Sequence, residues 1–188
     1  MKKKRKIFRI ILLSFFSFIL TIMIALTIVL YGRVSSMMSV KEKGYGLYTM
    51  KYKQNYHLNK VLKKNLSTEE ELLDFICDEL YFGYKIDSNI TKYGCSAFST
   101  ETIDNKHLFG RNFDLNQSSV LSVYTNPKKG YASISTVSLD MLSVGRQNKI
   151  TETSMLGRIA MLASPYIAVD GVNEKFVFEE SAITVAPL

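Results

Sequence analysis

The sequence predicts a mixed α+β domain held outside the cytoplasm behind one N-terminal membrane-spanning helix. Three observations carry this: a long uncharged run behind a basic cluster, one amphipathic helix with a capping signature, and successive strand-like segments separated by turn residues.

Ile10 to Tyr31 are 22 residues without a charge. As a helix rising about 1.5 Å per residue they span about 33 Å, enough for a hydrocarbon core of about 30 Å. Lys2, Lys3, Lys4, Arg5, Lys6 and Arg9 precede the run. Retention of that cluster predicts a cytoplasmic N-terminus, with everything after the span outside. Arg33, Lys41, Lys43 and Lys51 follow closely, so the charge asymmetry is modest. The run is longer than the roughly 7–15 residues of a cleaved signal core. An uncleaved signal anchor in the cell membrane is therefore expected, although Val34-Ser35-Ser36 offers small residues for cleavage.

The net charge of +7 sits in the anchor. Residues 1–33 hold seven of the 24 basic residues and no acids, which leaves 17 basic against 17 acidic residues in 34–188. A neutral outer part gives no basis for nucleic-acid binding. Seven lysines against Glu42 in residues 41–64, interleaved with Tyr45, Tyr48, Tyr52 and Tyr56, suit either anionic headgroups or a solvated linker.

Residues 34–66 read as a polar stalk. Ser67-Thr68-Glu69-Glu70 then resembles a capping box with Ser67 as N-cap, and Leu72, Leu73, Ile76 and Leu80 follow at helical spacing. Gly83 is the expected stop. Cys95 to Ser99 and His107 to Gly110 flank the turn-forming Asp104-Asn105 and predict a hairpin. Val120 to Tyr124 and Tyr131 to Val137 flank Asn126 to Gly130 and predict a second. Glu152 to Ala163 suit a helix with Met155, Ile159 and Leu162 on one face, and Asp170 to Asn173 a loop or turn.

Several chemistries find no residues. His57 and His107 are the two histidines, and no cluster has metal-ligand spacing, so neither a metal nor a cofactor is expected. Phosphate-binding glycine motifs are absent. Cys77 and Cys95 could pair as a disulfide, and a buried structural thiol is the ordinary reading of a lone cysteine. Cys77 falls on the apolar side of the predicted helix and suits packing. Asn89-Ile90-Thr91 fits a glycosylation sequon.

Cys95 also opens a strand after Gly94, with Arg111 sixteen and Asp114 nineteen residues further on. Were the Gly94–Cys95 bond cut, Cys95 would carry a thiol and a free α-amine. That amine titrates near about 7.7–8.0, close to a thiol at about 8.5, so it can take the thiol proton without a histidine. A nearby guanidinium favours the thiolate, and a carboxylate orients the amine.

Gly94-Cys95-Ser96-Ala97-Phe98 and Phe109-Gly110-Arg111-Asn112-Phe113-Asp114 resemble the opening of the choloylglycine hydrolase group of N-terminal-nucleophile hydrolases, which includes penicillin V acylases and acid ceramidase-like linear amide hydrolases. Residues 126–136 and 170–175 resemble further segments of its bacterial branch, so the similarity covers roughly 93–175. The resemblance implies an αββα sandwich in which Cys95 is the nucleophile and Arg111 and Asp114 are active-site residues. It implies hydrolysis of a small-molecule linear amide, after autoproteolysis exposes Cys95. Bile acid conjugates, penicillins, N-acyl amino acids, N-acyl homoserine lactones and lipid amides all remain open. Asn173 lies in a recurrent motif but is not read as catalytic. After Lys175 the pattern departs: the group continues with Gly-Leu, here replaced by Phe176-Val177. The group's oxyanion-hole asparagine and a later arginine have no counterpart in these 188 residues, so the expected organisation is an anchor at 1–33, a stalk and helical pro-segment at 34–94, and an incomplete hydrolase domain at 95–188, a fragment. The alternatives are a catalytically inactive remnant and a membrane-anchored binding protein.

Overall fold

The computed structural model describes residues 2–85, 94–114, 119–145, 148–175 and 177–180. The sequon at 89–91 lies outside them. The described chain is mixed α and β, and it begins with α1 (Lys2–Met38), one continuous helix. Its segment Arg9–Met38 is long and apolar enough to cross a membrane, and none of its apolar window is buried in the rest of the molecule.

β1 (Lys41–Gly44) and β2 (Leu47–Tyr52) follow directly, then α2 (Leu58–Lys64) and α3 (Glu69–Tyr81). The hairpin β3 (Gly94–Glu101) and β4 (His107–Asp114) precedes β5 (Val120–Thr125) and β6 (Ser133–Ser138). A 3₁₀ turn at Leu139–Leu142, α4 (Met155–Ala160), a second 3₁₀ segment at Met161–Tyr166, β7 (Asp170–Asn173) and β8 (Phe178–Glu180) complete the order. Six strands form one sheet in the order β1-β2-β5-β6-β7-β8, and β3-β4 form a separate pair. Among the described strands of that sheet, β2 and β5 pair in parallel, from Leu47 opposite Val120 to Tyr52 opposite Thr125, and the other pairings are antiparallel.

Period-two burial shows which face is the core. Tyr48, Met50 and Tyr52 of β2, Leu121, Val123 and Thr125 of β5, and Ser133 and Val137 of β6 are buried, whereas Lys51, Tyr124 and Ile134 point away from the core and are exposed. The buried face packs on α3 through Leu72, Phe75, Ile76 and Leu80, and on Met161, Leu162, Tyr166 and Val169. The opposite face carries a depression of about 460 Å³ lined by lysines 41, 43, 51 and 53 with Tyr124 and Ile134.

Several expectations are corrected. Residues 34–66 are not a stalk, because the polar run hides one alternating strand whose tyrosines and Met50 form the inner row of β2. The boundary expected at 94/95 therefore runs through one sheet, with β1 and β2 on one side of it and β5 to β8 on the other. Three tyrosine hydroxyls join the halves: Tyr52 donates to the Leu162 carbonyl at 2.9 Å, Tyr166 to that of Tyr56 at 2.9 Å, and Tyr81 to that of Ala160 at 3.0 Å. Val34-Ser35-Ser36 lies inside α1, where Ser36 is fully buried and its Oγ accepts from the Lys53 amide at 2.8 Å.

The capping box is shifted by one residue. Thr68 is the N-cap of α3, its hydroxyl accepts from the Glu71 amide at 3.2 Å, and the Glu71 carboxylate reaches back to the Ser67 and Thr68 amides. Those amides hold the Glu71 carboxyl below its ordinary range. Asp170 to Asn173 is a strand paired with β6 rather than a loop, because ladder pairing overrides the local turn signal of Asp-Gly. The helix expected to run to Ala163 ends at Ala160 and tightens into 3₁₀, with Met155 exposed.

Candidate functional site

Both predicted hairpins form, and the first carries the candidate residues. Eight residues pair on each side of β3–β4, closed by a turn in which the Thr102 amide donates to the Lys106 carbonyl and Asn105 takes a left-handed backbone, φ 58°. Asparagine tolerates that conformation better than most residues. Phe98 stands opposite Gly110, and its ring lies 2.3 Å from where a Cβ on residue 110 would sit. A side chain at 110 would push that exposed ring aside, and with glycine there the ring lies over the backbone.

The register brings the three candidates to one end of the hairpin. Cys95 is opposite Phe113, Asp114 is opposite Gly94, and Arg111 is opposite Ala97. Cys95 and Asp114 therefore occupy neighbouring rungs, and Arg111 is the diagonal neighbour of Cys95, at a separation of about 7–8 Å in such ladders. The side chains of Cys95 and Asp114 lie outside the described residues.

Arg111 is the described side chain of the three, and it is 6% exposed. Its Nη1 donates to the Val169 carbonyl at 2.5 Å, and its Nε stands 3.7 Å from Asp170 Oδ2. This guanidinium ties the hairpin to the leading edge of β7. Burying a guanidinium is costly unless acceptors face it; here Nη1 has the Val169 carbonyl, while the Asp170 carboxylate stands within ion-pair range of Nε but too far for a hydrogen bond. Sequence reasoning missed Asp170, because its role depends on β6–β7 pairing that no local signal announces.

Buried Asn173 stands opposite Ser133 in the ladder. Its Oδ1 accepts from the Lys175 and Val177 amides at 2.8 and 3.2 Å and so shapes the turn into β8. Cys77 is a free, buried thiol on the core face of α3. His107 is exposed at the start of β4.

A second concave region, of about 570 Å³, lies between α2 and the β5–β6 turn, lined by Asn55, His57 and Lys60 with Pro127, Lys128 and Lys129. Beside it, Glu79 meets His57 and Lys60. Burial pushes the Glu79 carboxyl up, but hydrogen bonds from Lys60 and His57 outweigh it and hold the group below its ordinary range. Among the described residues no three His, Cys, Asp or Glu side chains converge on a metal position.

Compared with known proteins, the chain matches no family model, no curated protein and no solved structure.

Proposed function

We propose that this chain is a membrane-tethered hydrolase of linear amides that uses Cys95 as an N-terminal nucleophile. The observation that carries the reading is the β3–β4 register, which gathers Cys95, Arg111 and Asp114 at one end of a hairpin. A layer of helices against one face of a sheet, with the other face open, also suits part of an αββα sandwich.

In this reading the Cys95 thiol first attacks the Gly94 carbonyl, and the peptide bond becomes a thioester as the α-amine takes up the departing proton. Water then hydrolyses the thioester and leaves Gly94 as a carboxylate. The freed amine accepts the thiol proton in each later turnover. The thiolate adds to the substrate carbonyl, the protonated amine passes its proton to the leaving nitrogen, and water releases the acid. Arg111 supplies positive charge beside the thiolate, and Asp114 orients the amine. The two pieces stay together after the cut, because β2 pairs along its length with β5 and three tyrosine hydroxyls cross between them. The hydrolase part thereby remains on α1, which spans the cell membrane with the domain outside.

Intact-mass analysis of the expressed chain tests this. A piece that begins at Cys95 and is lost in Cys95→Ala is expected, with labelling of Cys95 by a thiol-directed acyl probe that falls in Arg111→Ala. A folded sample holding only the full-length mass, or a Cys77–Cys95 disulfide, would sink the nucleophile assignment.

A further inference from the structure

α3 ends in a turn that water alone does not explain. Phe82 and Tyr84 flank Gly83 there and are 89% and 80% exposed. Phe82 also takes a left-handed backbone, φ 55°, where helices ordinarily place glycine or asparagine. The turn is nonetheless fixed: the Phe82 and Gly83 amides donate to the Cys77 carbonyl, and the Tyr84 amide to that of Tyr81. A rigid turn is holding two aromatic rings outward.

Its position relative to α1 is equally fixed. Arg33 stands two residues beyond Tyr31, the end of the apolar run, so its Cα is about 3 Å further along the helix. Its guanidinium donates to the Glu79 carbonyl at 2.9 Å and to that of Leu80 at 3.3 Å, and it lies 5.4 Å from the centre of the Phe82 ring. On another side of α1 the chain leaving β2 presses against Gly32, where a Cβ would meet the Gln54 Cα at 3.0 Å. The domain therefore grips α1 at the level where its apolar run ends, and the α3 turn lies at that level.

We propose that Phe82 and Tyr84 form a second membrane contact beside α1, seated in the interfacial layer of the outer leaflet. The occupant is lipid, because the rings adjoin the end of the apolar run and interfaces favour amphipathic aromatic rings with an arginine beside them. With α1 this gives two points of attachment, which fixes how the domain leans on the bilayer. The open, lysine-lined sheet face is then held at a set angle to the lipid surface. The proposal rests on reading α1 as a membrane span.

The chain has no tryptophan, so single substitutions give clean reporters. Full-length Tyr31→Trp, Phe82→Trp, Tyr84→Trp and Tyr45→Trp would each be placed in phosphatidylcholine nanodiscs, with and without bromine on the acyl chains near the headgroup. Tyr45 lies in the β1–β2 turn, at the far end of β2 from the Lys53–Gln54 segment that touches α1. Bromine should quench Tyr31→Trp, and Phe82→Trp and Tyr84→Trp at least twofold more than Tyr45→Trp. Phe82→Gly suits the left-handed backbone, and in that background quenching of Tyr84→Trp should fall with the fold retained. Quenching of Tyr31→Trp without that of Phe82→Trp and Tyr84→Trp leaves the anchor standing and overturns the second contact. No quenching at Tyr31→Trp overturns the anchor and this proposal with it. Equal quenching at Tyr45→Trp overturns the assignment to the α3 turn.

Discussion

The six-stranded sheet and the β3–β4 hairpin use the same alternating, aromatic-rich sequence, yet they are held by different forces. One face of the large sheet is buried under α3 and the 161–166 segment, with Leu121, Val123, Val137 and Met161 essentially inaccessible. Most of the described side chains of the hairpin, Phe98, Leu108 and Ile103 among them, are exposed. Among the described residues, buried Arg111 fastens it to the Val169 carbonyl and Asp170. A two-stranded hairpin is marginal by itself in water. Apolar area thus holds the large sheet, while a polar clasp positions the piece that carries the candidate chemistry.

The strongest way to break this contrast is at Tyr166. Its ring meets Tyr56 and Phe75 edge to face, at 6.2 and 5.8 Å, and its hydroxyl donates across to the Tyr56 carbonyl. Tyr166→Ala should cost about 3–5 kcal/mol, which for a domain of this size lowers Tm by on the order of 10 °C. Tyr166→Phe, which loses the hydroxyl alone, should cost about 1 kcal/mol. Thermal scans of both variants check this. A drop of under about 3 °C for the alanine variant would mean that the tyrosine cluster does not join the halves.

A smaller and local effect is expected at the clasp. Arg111→Ala leaves the Val169 carbonyl and the Asp170 carboxylate without that donor, a cost of about 1–3 kcal/mol. Because the clasp joins the hairpin to the edge of β7, the loss should show as faster amide exchange in β3 and β4, with β5 and β6 unchanged. Exchange that rises in all four strands would make hairpin and sheet one cooperative unit.

How far the sequence announces each region follows from the same contrast. The hairpins are legible because Asp104-Asn105 and Pro127 to Gly130 are local turn chemistry, and α3 because its apolar spacing and acidic first turn are local as well. β2 is not. The lysines around it suggest a stalk, and only pairing with β5, about 70 residues away, turns its tyrosines into core. The site splits the same way. Arg111 stands out in its motif, but its partner Asp170 sits in an Asp-Gly pair that becomes a strand through its pairing with β6.

Acid offers the finest test, at the ion pairs between α2 and α3. Glu79 joins α3 to α2 through Lys60 and His57, which hold its carboxyl below its ordinary value. A carboxyl lowered in the folded state adds stability that is fully present above its unfolded value near 4.5 and disappears as pH falls through the lower folded value. Wild type should therefore exceed Glu79→Gln in Tm at pH 6, and the gap should close toward pH 3. The gap should be small, since Lys60 and His57 are partly exposed and solvent screens the contacts. A gap that does not change with pH would mean that Glu79 contributes by packing rather than charge. Holding α2 against α3 would then rest on Val61 and Phe75, and the large sheet would rely on polar pairing even less than its contrast with the hairpin suggests.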